Sequence, residues 1–415
     1  MFKRIPGTKD ILPGEIEFWQ KIAQTSRTIF KIHNYREIRP PLIEEAALFN
    51  RSLGEATEIV RKQMFIIKKE QDTYALRPEG TASIVRAYIE NSLDKAQGFV
   101  KLYYMGSMFR MERPQKGRQR EFHHVGCEAI GSYGPEIDVE VIALADNLLK
   151  AYPVKGYRLM INSLGCSEDK KRLDSFLKER LKDKTNELCE DCKVRYEQNI
   201  LRVLDCKNES CKKIVEQSEI KDSYLCQECK DHFNMVKKGL DILQIGYEAS
   251  PNLVRGLDYY TRTVFEIKHP DLGPQQDALG AGGRYDNLVK ELGGPETGAI
   301  GFAFGVERLL LAQGQKELAK ASDLVYIITL GDPARDKGIE LLQELRKAGI
   351  ASDTDYENKS LKGAMRKSND LGAKFVLIIG EDELKDASVT VKDMEKSTQK
   401  KIAQARLIEY IKSSF

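Results

Sequence analysis

No stretch of this sequence approaches the roughly 18 consecutive apolar residues that a membrane-spanning helix needs. Its opening, MFKRIPGTKDILPG, also lacks the apolar core of a secretory signal. The expectation is a cytoplasmic protein with no membrane partner. Neither sign of charge is in excess: 66 basic and 63 acidic residues leave a net charge of +3. A basic surface spread over the whole chain is thereby excluded, so any RNA contact must come from local placement. The module from Asp323 to Phe415 is balanced in the same way, with 16 basic and 16 acidic residues. There is no internal repeat and no low-complexity tract. With 41% hydrophobic and 31% charged residues, the composition is that of a globular chain. At roughly 100–200 residues per domain, 415 residues predict two to four domains.

Cysteine is plentiful and unevenly placed. Six of the eight cysteines fall between Cys189 and Cys229. Without a secretion signal they read as reduced thiols rather than disulfides. Cys189-x2-Cys192 and Cys226-x2-Cys229 have the spacing of a four-thiolate zinc site, and Cys206 with Cys211 can replace either pair. Unbound thiols and a redox role are the other readings of the same cluster.

The periodicity divides the chain. Ile16, Trp19, Ile22 and Ala23 keep helical spacing, and Arg39-Pro40-Pro41-Leu42-Ile43 forces extended backbone. Met64–Leu76 predicts a hairpin, Ala82–Leu93 a helix, and Glu136–Lys150 another. From 167 to 239 a mostly helical, cysteine-rich insertion is expected, its first helix capped by Ser167. This makes 1–166 and 240–315 two parts of one core, with a glycine-rich turn at Gly280–Gly283. A linker at Gln313–Ser322 leads to strands alternating with helices over 323–415, the pattern of an α/β module.

Three stretches carry chemistry. KLYYMGSMFR and EFHHVGCEAI read as strands around the loop MERPQKGRQR. From Arg110 to Arg120 that region holds five cations (Arg110, Arg113, Lys116, Arg118, Arg120) against the single acid Glu112. Strand side chains alternate between faces, so Phe122, His124, Gly126 and Glu128 share one. Arginine binds phosphate bidentately, and clustered cations suit a triphosphate or RNA; a solvated charged hairpin reads from the same residues. The second stretch, Leu253-Val254-Arg255-Gly256-Leu257-Asp258-Tyr259-Tyr260, packs a cation, an acid and two aromatics around a glycine. In the third, GFAFGVERLLLA, Arg308 falls in the first turn of a helix, where backbone N–H groups favour an anion. There it also reads as a surface ion-pair partner.

Together these motifs resemble the histidyl-tRNA synthetase family of class II aminoacyl-tRNA synthetases. FRMERPQKGRQREFHHVGCEAIG resembles motif 2 and GFAFGVERLLL motif 3, and Arg39-Pro40-Pro41 stands in the place of motif 1. LVRGLDYYTRTVFE and ALGAGGRYDNL resemble the two histidine signatures, and PGTKDILP and ALRPEGTA fit the same family. The resemblance implies an α+β fold: a six-stranded antiparallel sheet flanked by helices, a helical insertion, and a C-terminal α/β anticodon-binding domain. It also implies a homodimer acting on L-histidine, ATP with Mg²⁺, and tRNA(His).

By the same resemblance Arg110 and Arg255 are the catalytic cations at the α-phosphate, with Glu112, Arg118 and Arg308 also binding ATP. Glu79 and Thr81 receive the histidine amino group, Glu128 and Tyr260 its ring, and Tyr259 and Tyr285 line the pocket. Gln115 and Arg120 approach the tRNA acceptor stem. His124 stands where many members have glutamine, and offers an imidazole in place of an amide toward the histidine carboxylate or α-phosphate. The cysteine set is a second departure, for which the resemblance offers no support. The alternative function is a histidine-sensing regulatory subunit of ATP phosphoribosyltransferase, which lacks the C-terminal domain.

Overall fold

The structure is a computed structural model that describes residues 2–55, 57–115, 117–218, 220, 222–273, 277–314 and 322–414. Lys116 of the basic loop and residues 315–321 of the expected linker lie outside the described residues. Chain contacts separate two compact units, Met1–Gln315 and Lys316–Phe415.

The first unit is built on an eight-stranded sheet. Its order is Arg36–Glu37, Val100–Phe109, Glu121–Ile130, Ala299–Gly305, Ala278–Arg284, Thr261–Lys268, Arg158–Ser163 and Glu248–Ala249. The central six strands are antiparallel, as expected. The sheet is wider than six because a two-residue strand adds to each edge in parallel. The strand Glu121–Ile130 runs through the middle, paired on both sides. Val125, Cys127 and Ala129 enter the apolar core under the helices, so His124, Gly126 and Glu128 face the other way. Pro13–Ile32 and Pro135–Ala151 supply that helical layer, each with proline in its first turn, where a missing N–H costs nothing.

The glycines of Gly280–Gly283 form no turn. They lie within the strand Ala278–Arg284. A Cβ at Gly280 would overlap the Phe304 ring, and one at Gly282 the Gly301 carbonyl. Glycine is needed there for close approach of the neighbouring strand, a use the sequence pattern does not distinguish from a turn.

The insertion is helical over Ser167–Leu181, Glu190–Gln198, Glu209–Glu216 and Gln227–Ile242. The first of these is capped by Cys166, and Ser167 is already helical. Leu173, Leu177 and Ile200 of the insertion share one continuous core with Phe49, Leu53 and Tyr260. A buried polar cluster joins it from the other side. Asp138 accepts from Arg284 Nε at 2.8 Å and lies 2.7 Å from His232 Nε2, all three nearly without solvent exposure. The buried charges are paired, which is what keeps their desolvation tolerable.

The second unit has a five-stranded sheet: Ser352–Thr354, Ser322–Thr329, Ala373–Ile379, Ser388–Asp393 and Thr398–Ala403. The first three are parallel and the last two antiparallel. Helices Asp332–Lys347 and Leu361–Asp370 make the crossovers, which is the expected α/β pattern. Among the described residues no helix is long and apolar enough to cross a membrane.

Candidate active site

One cleft on the sheet face opposite the helices gathers most of the expected residues. Glu79, Thr81, Arg110, Glu112, Arg118, His124, Glu128, Arg255, Tyr259, Tyr260, Tyr285 and Arg308 all line it. Gln115 and Arg120 do not. Gln115 sits across a tight turn from Arg118, and the Arg120 N–H donates to the Gly7 carbonyl.

The buried end is built around Glu128, which is 1% exposed. Thr81 Oγ1 donates to its Oε1 at 2.7 Å and the Tyr285 hydroxyl to its Oε2 at 2.5 Å. Burial pushes the Glu128 carboxyl up to about 8, against the opposing pull of those two hydroxyls. Room for the carboxylate comes from Gly301 on the next strand, where a Cβ would overlap Glu128 Oε2. Glu79 is buried beside it. It accepts from the N–H groups of Thr81 at 2.7 Å and Ala82 at 2.9 Å, the first turn of helix Thr81–Glu90. Burial raises its carboxyl, while these backbone donors hold it down. Tyr259 packs against Tyr260 and Tyr285, with ring centroids 4.7 and 5.7 Å apart, to form an aromatic wall.

The other end is cationic. Arg110 Nε donates to the Pro78 carbonyl at 2.9 Å, and its guanidinium lies over the Phe122 ring. Arg118 pairs with Glu112 at 3.2 Å. Arg308, at the third position of helix Val306–Gln313, donates to the carbonyls of Gly117 at 3.1 Å and Ala278 at 2.6 Å. Arg255 is ion-paired with Glu266, and its Nε is buried without a hydrogen-bond partner. His124 lies between the two ends. Burial, and then Arg110 and Arg308, lower its imidazole to about 3, so it is neutral. Its Nδ1 is buried and unpartnered. These rigidly held cations, with an unfilled donor position, suit an anion that brings its own acceptors.

Asp258 is not the partner of Arg255. The insertion holds it instead: Asn199 Nδ2 donates at 2.9 Å and Arg202 Nη2 at 3.0 Å. Arg202 also reaches the Gly256 carbonyl at 3.0 Å, and Lys170 Nζ donates to the carbonyls of Asp258 and Tyr260 at 3.0 and 2.9 Å. Glu266, Lys170, Asn199 and Arg202 were not singled out in the sequence. Each looks like an ordinary charged or polar surface residue until the fold brings it beside the loop.

The cysteines regroup as well. Cys189 and Cys192 lie with Cys206 and Cys211, all four sulfurs within 4.8 Å of one another. Cys226 and Cys229 lie elsewhere, with Cys166 and Asp169. The four-thiolate set Cys189, Cys192, Cys226 and Cys229 is therefore not assembled. The two C-x2-C pairs cap different helices, and each finds its own neighbours. None of the eight cysteines forms a disulfide.

Comparison with known proteins gives this cleft its context. The sequence model of histidyl-tRNA synthetases matches residues 7–309, and that of the anticodon-binding domain residues 324–414. A histidine–tRNA ligase of Desulforamulus reducens is 45% identical, covering 98% of this chain and 98% of its own. One from Thermotoga petrophila is 43% identical, covering 99% and 98%. The apo histidyl-tRNA synthetase of S. aureus superposes with a TM-score of 0.82 at 36% identity, covering 99% of this chain and all of its own. With both sequence models in order along the chain and a class II catalytic sheet beneath the cleft, the chain belongs to the histidyl-tRNA synthetase family of aminoacyl-tRNA ligases.

Proposed function

We propose that the cleft forms histidyl-adenylate from L-histidine and ATP and then passes the histidyl group to tRNA(His). One observation carries the assignment of roles: a buried carboxylate, Glu128, shares a single cleft with the cations Arg110, Arg118, Arg255 and Arg308. Glu128 and Tyr260 would take the ring nitrogens of histidine. Thr81 already orients Glu128, so its hydroxyl serves the ring site as well as the amino group that Glu79 would receive. The polar ring partners matter because a site built to hydrogen-bond a substrate rejects analogues that leave its groups unpaired.

The histidine carboxylate is ionised at neutral pH and needs no protein base. It attacks the α-phosphorus of ATP, and the bond to the bridging oxygen breaks to release pyrophosphate. Charge grows on the α-phosphoryl oxygens, where Arg110 and Arg255 would stabilise it. Arg308, Arg118 and Glu112 would hold the rest of the nucleotide. Neutral His124, with its free Nδ1, would offer one donor or acceptor to the carboxylate or α-phosphate. A terminal ribose hydroxyl of the tRNA then attacks the adenylate carbonyl and AMP leaves. Gln115 and Arg120, outside the cleft on the adjoining loop, would approach the acceptor stem.

The carboxylates that line the cleft do not make a closed ligand set for a resident Mg²⁺: Glu112 Oε2 is buried without a hydrogen-bond partner, but it faces Arg118. Glu79 is engaged by two backbone N–H groups, Glu112 by Arg118, Glu128 by two hydroxyls and Glu307 by His123. Mg²⁺ would instead arrive on the phosphates of the substrate. The four sulfurs of Cys189, Cys192, Cys206 and Cys211 do fit a structural zinc ion. Cys189 and Cys206 are 3.8 Å apart, and a tetrahedron with Zn–S of about 2.3 Å has an edge of about 3.8 Å. The unpaired cysteines support a reducing, cytoplasmic setting. Leu42, Ile43, Ile66 and Ile67, exposed on or beside a three-stranded sheet of Ile43–Glu45, Asp72–Leu76 and Phe65–Lys69, support a homodimer through this region.

Histidine-dependent exchange of pyrophosphate into ATP tests the reading. Exchange with histidine and no other amino acid is expected. Histidine binding without exchange would favour the regulatory-subunit alternative, although the anticodon-binding module argues against it.

A further inference from the structure

We propose that Cys166, Asp169, Cys226 and Cys229 form a second metal site, for a zinc-like divalent cation, that fastens the insertion's first and last helices together. The four ligand atoms lie within 4.8 Å of one another. They come from the starts of the insertion's first and last helices, Ser167–Leu181 and Gln227–Ile242. The placement is matched. Cys166 and Cys226 are the capping residues of their helices, and Asp169 and Cys229 are each three residues on.

Packing alone does not account for this group. Buried thiols can serve as small apolar side chains. Asp169, however, is a fully buried carboxylate set among three of them. It already accepts from the N–H groups of Cys166 at 3.3 Å and Cys226 at 2.9 Å, and it pairs with Arg172. The thiols of Cys226 and Cys229 also bond its oxygens, and a cation would take the place of their protons. Three thiolates and a carboxylate make a closed tetrahedral set of the kind structural zinc takes.

The site also touches the chemistry at one remove. Lys170 follows Asp169 directly and donates to the carbonyls of Asp258 and Tyr260. A metal that fixes the start of this helix thereby fixes the loop that carries Tyr260.

The test is metal content and thiol accessibility on the full-length protein, purified without chelator. Two zinc ions per chain are expected. Cys226→Ser with Cys229→Ser should remove one, and Cys189→Ser with Cys192→Ser should remove the other. If the unaltered protein holds only one ion per chain and the Cys226→Ser/Cys229→Ser protein keeps it, this site is overturned and the four-cysteine site stands. One ion lost only in that protein upholds this site and removes the four-cysteine site. A metal-free preparation overturns both. Should the variants fail to fold, the unaltered protein still decides. Cys166 and Cys226 are partly exposed. Native alkylation, mapped by mass spectrometry, should modify them only after a chelator is added. Equal labelling with and without chelator, or a disulfide in the mapped peptides, overturns the proposal.

Discussion

Arg255, which lines the cleft, and Glu266 form a half-buried ion pair, and the Arg255 Nε is left without a partner. The carboxylate does two things: it keeps the guanidinium charged against burial and it aims the fork. Arg255→Ala should therefore lower the rate of adenylate formation about 10²–10³-fold with little change in substrate affinity. Arg255→Lys should rescue only in part, since an ammonium lacks the planar two-point contact. Single-turnover adenylate formation beside thermal unfolding checks this. A variant that unfolds earlier yet keeps its rate when folded would sink the catalytic role and leave Arg255 as a structural partner of Glu266.

Glu128→Gln should weaken histidine binding and spare ATP. Leaving a buried hydrogen-bond partner unsatisfied costs about 1–3 kcal/mol, or roughly 5–150-fold in affinity. Equal losses for both substrates in calorimetric titrations would reject the assignment.

The same variant should change how stability depends on pH. The Glu128 carboxyl is raised from 4.5 to about 8 in the folded chain. Between those values the folded state holds a proton that the unfolded state has released, so stability falls as pH rises across the window. Glu128→Gln removes the titrating group. Its unfolding midpoint should gain on that of the unaltered protein from pH 5 to pH 8. Parallel midpoints across that range would contradict the burial argument.

His124 is expected to stay neutral at every working pH, because burial and the nearby arginines hold its imidazole at about 3. Replacing it by glutamine should leave the shape of the pH–rate curve for adenylate formation unchanged above pH 5. Loss of an acidic limb in the His124→Gln profile would show that the imidazole titrates there.

Gly301→Ala should be disproportionately harmful for one added methyl group. The new Cβ would overlap Glu128 Oε2 and crowd the Cys127 carbonyl, and backbone cannot move aside cheaply. Overpacking of this kind costs about 1–3 kcal/mol. A lowered unfolding temperature with weakened histidine binding is expected; a neutral result in both would show that the strands part easily.

Much of the cleft was legible because a strand alternates its side chains. Once Glu121–Ile130 was read as extended, His124, Gly126 and Glu128 had to share a face. Arg308 followed from a helix start in the same way. Other features had two local readings and only the fold chose between them. Gly280 and Gly282 look alike whether they make a turn or admit a neighbouring strand. Glu266 in TRTVFEIK alternates like any solvent-facing acid. The cysteine pairs were plain, but their partners were not: Cys226 finds Asp169, 57 residues earlier. Long-range choices of that sort are made by packing, not by spacing.

The grip of Lys170, Asn199 and Arg202 on the loop around Asp258 bears on how such enzymes can be recombined. Residues 167–239 resemble a detachable module in sequence, yet they supply five hydrogen bonds to three residues of the catalytic half. A graft from a relative must bring all three donors in register, or it will leave Asp258 and its carbonyl unanswered. The boundary for exchange is then set by these contacts and not by where the helices begin. A chimera cut at 167 and 239 that lacks them should fold its sheet and still fail to hold Tyr260 in place.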